Sequence, residues 1–174
     1  IVIAGGRRRE LSVTLAQLFV VGDTGPAGGI VFYDKGSYSD GWRYLEAAPG
    51  STEWDGIEWG PRGSNIFGAE GTAIGTGEQN TVDIIAAQGS GSTYAGQLCA
   101  GLSYGGYDDW FLPSKDEMNE MHDQKDVIGG VASGYYWSSS ESNSHLSWFQ
   151  DFSSGGQATI TKYHKLRVRA VRAF

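Results

Sequence analysis

His145, His164 and Asp151 stand among serines in the stretch from Ser140 to His164, and these are the residue types of a nucleophilic hydrolase. A hydroxyl nucleophile needs a histidine base within hydrogen-bond reach and a carboxylate to orient that base. The stretch has no G-x-S-x-G elbow to hold a serine on a strained turn. It supplies the members of a triad without their arrangement, so an enzyme is not expected. Zinc is served no better, because His122, His145 and His164 have no ligand spacing and no H-E-x-x-H occurs. The single Cys99 excludes a multi-cysteine metal site and an internal disulfide, and in "YAGQLCAGL" it reads as a small buried thiol. Calcium has oxygen donors in Asp108, Asp109, Asp116, Glu117, Glu120 and Asp123. Most of these fall on a predicted helix, where acidic side chains make a solvated face and a favourable N-terminus. No cofactor is therefore expected, and a structural calcium has no motif behind it. "GPAGG" is a turn and not a phosphate loop, since no G-K-[ST] follows.

The elements that must position these residues are legible in part. A chain of 174 residues suits one domain with a real core. Its 27 glycines, six tryptophans and nine tyrosines point to a compact, loop-rich fold. A net charge of −7 argues against a nucleic-acid groove. The run "RRRELSVTLAQLFVV" is too short and too polar to span a bilayer. Residues 1–19 are expected to be an extension or linker from an upstream module, in a fragment or processed chain. Residues 20–174 are the expected folded domain. Ile30–Tyr33 and "GWRYLEAAP" read as paired strands, the second with Trp42, Tyr44 and Glu46 on one face. Residues 50–76 read as a long surface excursion anchored by Trp54, Trp59 and Phe67. In "GTGEQNTVDIIAAQ" a helix capped by Thr76 is expected to turn Val82, Ile85 and Ala86 inward. A second helix starts at Ser114, which makes a capping box with Glu117, and it places Met118 and Met121 in the core and His122 near its end. Strands follow in "GYYWSSSE", "LSWFQDFSS", "QATIT" and "KLRVRAVRAF", the last alternating Leu166, Val168 and Ala170 with Arg167 and Arg169. The order gives an α+β fold.

Four motifs in this order, "GDTGPAGGIVFYDKG", "DDWFLPSKDEMNEM", "YYWSSSE" and "RVRAVRAF", carry a resemblance. Over residues 20–174 the chain resembles the C-terminal domain of bacterial collagen-like adhesins, a branch of the C-type lectin-like fold. That branch also supplies variable proteins to diversity-generating retroelements of phages, archaeal viruses and bacteria. The resemblance implies two helices, antiparallel strands, an N-terminal strand paired with the C-terminal one, and a sheet that carries the ligand site. It implies a virion-surface, cell-surface or extracellular adhesion domain whose partner is a protein or glycan on a host or neighbouring cell. Oligomeric display would raise avidity. Neither nucleic acid nor membrane insertion is implied. The E-P-N, Q-P-D and W-N-D sugar motifs are absent, as are the paired cysteines of the formylglycine-generating enzymes, so neither of those activities carries over.

The retroelement resemblance implies more about residues 136–174. Such elements mutate template adenines, so codons of the adenine-adenine-pyrimidine kind become many residue types but never Lys, Gln, Glu, Met or Trp. Ser142, Asn143, Ser144, His145, Leu146, Phe149, Asp151, Ser153, Ser154, Gly156, Ala158, Thr159, Ile160, Thr161, Tyr163 and His164 are all reachable, and they form the expected ligand-binding set. Trp148, Gln150, Gln157, Lys162 and Lys165 are unreachable and interspersed, as fixed scaffold would be. Strand parity puts Trp148, Gln150 and Phe152 toward the core, and Phe149, Asp151 and Ser153 outward. Serine, glycine, asparagine and aromatic side chains suit a binding surface of adaptable hydrogen bonds and rigid anchors. The alternative is a non-variable bacterial surface adhesin domain that binds glycans or glycosaminoglycans, a sulfated ligand requiring the tail arginines to cluster across subunits.

Overall fold

The structure is a computed structural model, which describes residues 17–174. Residues 1–16 of the expected N-terminal extension therefore lie outside the described residues. The described chain forms β1 (Ile30–Ser39), β2 (Trp42–Ala47), β3 (Trp54–Ile57), α1 (Gly77–Gln88), α2 (Ala95–Ala100), α3 (Lys115–Asp123), α4 (Lys125–Ile128), β4 (Tyr135–Glu141), β5 (Leu146–Asp151), β6 (Gln157–Thr161), β7 (Leu166–Val168) and β8 (Val171–Ala173). This is the α+β architecture of a C-type lectin-like fold, with four α-helices where two were expected.

The strands divide between two sheets. β1, β2 and β8 form an antiparallel sheet in that order, and β3-β7-β4-β5-β6 form the second, in which only β4 and β7 run parallel. The C-terminal strand pairs with β2 and not with the first strand. Asp40 and Gly41 both take positive φ, the backbone of a tight two-residue hairpin, and so fold β1 back onto the other side of β2. The tail breaks where one strand was expected. β7 belongs to the larger sheet and β8 to the smaller, and buried Arg169 stands at the crossing with bonds to the Ala48 and Gly130 carbonyls and to Glu53.

Two core clusters lie on opposite faces of β4, whose Trp137 enters the first and whose Tyr136 enters the second. Trp59, Trp110, Trp137, Ile84, Cys99, Leu166 and Val168 pack in one cluster. Phe32, Leu45, Phe111, Met118, Met121, Tyr136 and Phe152 pack in the other. α3 begins as expected: Ser114 Oγ accepts from the Glu117 backbone N–H, and Glu117 Oε2 accepts from the Ser114 N–H at 2.7 Å. α1 differs. It buries Gly77, Asn80, Thr81 and Ile84, and leaves Val82 exposed. Thr81 Oγ1 donates to the Gly77 carbonyl and accepts from the Leu112 N–H, while Asn80 Nδ2 bonds the Gly71 carbonyl and Ser139 Oγ. The inner face is satisfied by hydrogen bonds, which a search for apolar periodicity passes over. The Thr76 hydroxyl likewise donates to the Ala73 carbonyl and makes no side-chain cap bond.

Candidate ligand-binding surface

β5 and β6 form an antiparallel hairpin at the open edge of the larger sheet. Register places Gln150 opposite Gln157, Phe149 opposite Ala158, Trp148 opposite Thr159 and Leu146 opposite Thr161. Paired residues share a face, so one face carries Leu146, Trp148, Gln150, Gln157, Thr159 and Thr161. That face meets α3. Lys115 Nζ lies 5.3 Å from the Trp148 ring, and Gln157 Nε2 donates to the Lys115 carbonyl at 2.7 Å. Gln150 is fully buried and donates to the Gly155 carbonyl at 3.0 Å.

The opposite face carries Phe149, Asp151, Ala158 and Ile160, but it is not open throughout. Ser147 is fully buried, and Phe149 and Ile160 pack partly against the first core cluster. The cause is the chain between β3 and α1, which crosses this side of the sheet. The Trp59 N–H bonds the Lys162 carbonyl, the Trp59 indole bonds the Ser138 carbonyl, and the Gly63 N–H bonds the Ser144 carbonyl.

A buried ion pair holds that crossing. Lys162 is fully buried, pairs with Glu141, lies 4.7 Å from the Trp59 ring, and donates to the Ser64 carbonyl at 3.3 Å. Glu141 Oε2 accepts from the Ile66 N–H at 2.8 Å, and the Glu141 N–H bonds the Ala69 carbonyl. Two desolvated charges stay buried only when each is paired and its remaining atoms are hydrogen-bonded, as here. Trp59 anchors the excursion as expected, whereas Phe67 is 85% exposed. The polar lock fixes its neighbours and leaves its ring outside.

The candidate positions wrap the hairpin and do not cover one flat face. Ser142, Asn143, Ser144 and His145 form the β4–β5 turn, and Tyr163 and His164 form the turn after β6 at the same end of the hairpin. Ser153, Ser154 and Gly156 lie at the other end, where Ser153 borders a cavity of about 460 Å³ shared with Lys125, Asp126, Val131 and Phe152. Leu146, Thr159 and Thr161 share the Trp148 face, while Phe149, Asp151, Ala158 and Ile160 share the other. None of these positions is buried.

Their contacts are local. Asn143 Oδ1 accepts from the His145 and Leu146 N–H groups, Ser144 Oγ lies 2.8 Å from His145 Nδ1, and Thr161 Oγ1 lies 2.5 Å from His164 Nδ1. Asp151 accepts from Ser154 Oγ and the Ser153 N–H, which hold its carboxyl below the usual range. Its hydrogen bonds thus stay within its own turn, so the serines, histidines and aspartate are not assembled into one relay. Burial pushes the Cys99 thiol far up, which opposes thiolate chemistry. The Tyr136 phenol also rises, by burial and then by its donation to Glu53.

The acidic residues considered for calcium do not converge. Asp109 pairs with Arg172, Asp116 with Lys115, and Asp123 with His122, while Glu117 turns inward. Among the described residues no group of three His, Cys, Asp or Glu side chains is placed to hold a metal. His122 packs edge-on against Phe152, and its Nε2 lies 3.3 Å from Lys125 Nζ. The tail arginines are also engaged within the fold: Arg167 with Glu53 and Asp55, Arg169 with Glu53, and Arg172 with Glu46 and Asp109. Sequence alone misses this, because every one of those carboxylates is remote along the chain.

No helix among the described residues is long and apolar enough to cross a membrane. No curated protein matches the chain. Residues 53–172, which hold the polar lock, the hairpin and most of both cores, match the Lcl C-terminal domain, a C-type lectin-like family of binding or adhesin domains. The chain belongs to the Lcl C-terminal domain family.

Proposed function

We propose that this is a non-enzymatic receptor-recognition or adhesion domain of a virion or cell surface, whose ligand surface is the set of hairpin positions diversified by a retroelement. One observation carries the reading: the candidate positions all lie outside the buried frame with which they interleave. None of the reachable candidate positions is buried, while the unreachable Gln150 and Lys162 are fully buried, and Trp148 and Gln157 hold the start of α3. Ser147, Phe152 and Leu166, which lie in the same stretch but outside the set, are buried. Lys165, unreachable yet exposed, departs from a strict match of codon to burial, as do Ser147, Phe152 and Leu166, which are reachable yet buried. Replaceable side chains over a fixed frame give a preorganised surface that loses little entropy on binding.

The tail arginines that a sulfated glycosaminoglycan would require are paired with Glu46, Glu53, Asp55 and Asp109. Sequencing sibling chains and the flanking DNA from one source tests the reading. It expects substitutions concentrated at Ser142 to His164 with Trp148, Gln150, Gln157 and Lys162 constant, beside an adenine-rich template repeat and a reverse transcriptase. Substitutions spread evenly over the chain would overturn it.

A further inference from the structure

Residues 60–68 lie outside the diversified stretch, yet they stand at the same end of the hairpin. The Gly63 N–H donates to the Ser144 carbonyl at 2.8 Å, Lys162 Nζ to the Ser64 carbonyl, and the Ile66 N–H to Glu141 Oε2. The loop is thereby tied to the ends of β4 and β6 and to the β4–β5 turn between them. A loop held at three points has little freedom left to lose on binding.

Two of its side chains face solvent with the chemistry of an anchor. Phe67 is 85% exposed, although both of its neighbours on the lock, Ile66 and Ala69, are buried. Arg62 is exposed, and its guanidinium lies 5.3 Å from the Tyr163 ring. Among the described residues it has no carboxylate within ion-pair distance. Tyr163 stacks on His164 with ring centroids 5.1 Å apart, and the His145 carbonyl accepts from the Lys162 N–H at 3.0 Å. Lys165, two residues after Tyr163, is also exposed, while the carboxylate beside Phe67 is that of Glu70, which accepts from the Gly68 N–H at 2.8 Å. The cavities of about 460, 300 and 220 Å³ are lined by other residues. Small ligands are buried in concave sites, whereas arginine and aromatic side chains on a surface without a cavity are the anchors of protein interfaces.

We propose that residues 60–68 supply a fixed half of the recognition surface, with Phe67 and Arg62 as its anchors. The partner is an acidic polypeptide segment that gives a carboxylate to Arg62 and an apolar side chain to Phe67. The proposal rests on reading residues 142–164 as the ligand surface, and it adds to that set a part that diversification leaves constant. Diversified neighbours then tune which segment binds, while the loop retains affinity for the class.

A phage-displayed random peptide library selected on the domain at low salt is the probe. Enriched peptides are synthesised and titrated against the native chain, Arg62→Ala, Phe67→Ser and Tyr163→Ala. Both loop side chains are exposed, so each variant should keep its thermal midpoint, which serves as the folding control. The expected result is enrichment of Asp or Glu beside an apolar residue, with each loop substitution weakening binding about tenfold or more. Added salt should weaken the native chain more than Arg62→Ala. Enriched peptides without acidic residues, or no enriched peptide, overturn the choice of partner. Binding lost in Tyr163→Ala but unchanged in both loop variants overturns the loop's role while leaving the reading of residues 142–164 intact. Binding indifferent to all three substitutions overturns both.

Discussion

The tail from Leu166 to Phe174 and the hairpin before it are neighbours in sequence, and both alternate polar with apolar residues, yet the fold treats them oppositely. In the tail, Arg169 and Arg172 are buried against carboxylates from Glu46, Glu53 and Asp109, and the break at Arg169 passes the chain from one sheet to the other. In the hairpin, the polar candidates bond mostly within their own turns, buried Gln150 bonds across the hairpin's own turn to Gly155, and the interspersed Gln157 and Lys162 reach distant parts of the fold. Alternation marks a strand, but it does not say which polar residues carry structure. The reach of their hydrogen bonds does.

The comparison breaks first if the buried frame can be removed cheaply. Lys162→Met leaves Glu141 desolvated without its cation and should cost about 3–5 kcal/mol, seen as a lower urea midpoint at unchanged slope. The double change Lys162→Met with Glu141→Leu should recover a large part of that loss. A single-variant cost under about 1 kcal/mol would mean that the loop over β5 and β6 is not held by this pair.

A second buried carboxylate sharpens the contrast through pH. Glu117 joins the starts of α1 and α3, accepting from the Ser114 and Gly75 N–H groups, and burial pushes its carboxyl from 4.5 up to about 7. The folded state thus favours the protonated acid. Its contribution is fully present below pH 4.5 and is lost as pH rises through about 7, a change of about 3 kcal/mol. Glu117→Gln should flatten this dependence, so that the stability of the variant relative to the native chain rises by about that amount between pH 4 and pH 8. Urea unfolding at both pH values reads it, and a constant difference would contradict the assignment.

Within the candidate set the effects should be graded. Phe149 and Ile160 lean on the first core cluster, so Phe149→Ala or Ile160→Ala should each cost about 1–2 kcal/mol by chemical denaturation. Equal costs at exposed Ser142 or Ser153 would erase the distinction between frame and surface.

What could be read from the sequence follows from the range of the forces involved. The Ser114–Glu117 capping box, the Met118 and Met121 stripe and strands β4 to β6 depend on neighbours a few residues apart, and they appear as read. The buried face of α1, the exposure of Phe67 and the burial of the tail arginines depend on partners tens of residues away. Thr81 is satisfied by Leu112, Ile66 by Glu141, and Arg172 by Glu46. The candidate positions were legible as residue types, and their interleaving with Lys162 matched burial because a desolvated charge needs fixed partners, here Glu141 and the Ser64 carbonyl. Their distribution over both faces and both ends of the hairpin was not legible, because it depends on where residues 58–69 cross the sheet.

The central claim is that the hairpin's exposed residues are replaceable over an irreplaceable frame. Ser142, Asn143, His145, Ser153, Ser154, Ala158, Tyr163 and His164, changed together to other residues reachable from adenine-adenine-pyrimidine codons, test it in one thermal melt. Exposed substitutions each shift stability by about 0.5 kcal/mol or less in either direction and so largely offset one another, which predicts a cooperative transition within about 5 °C of the native chain. A chain that fails to fold, or that melts as low as Lys162→Met, would contradict it.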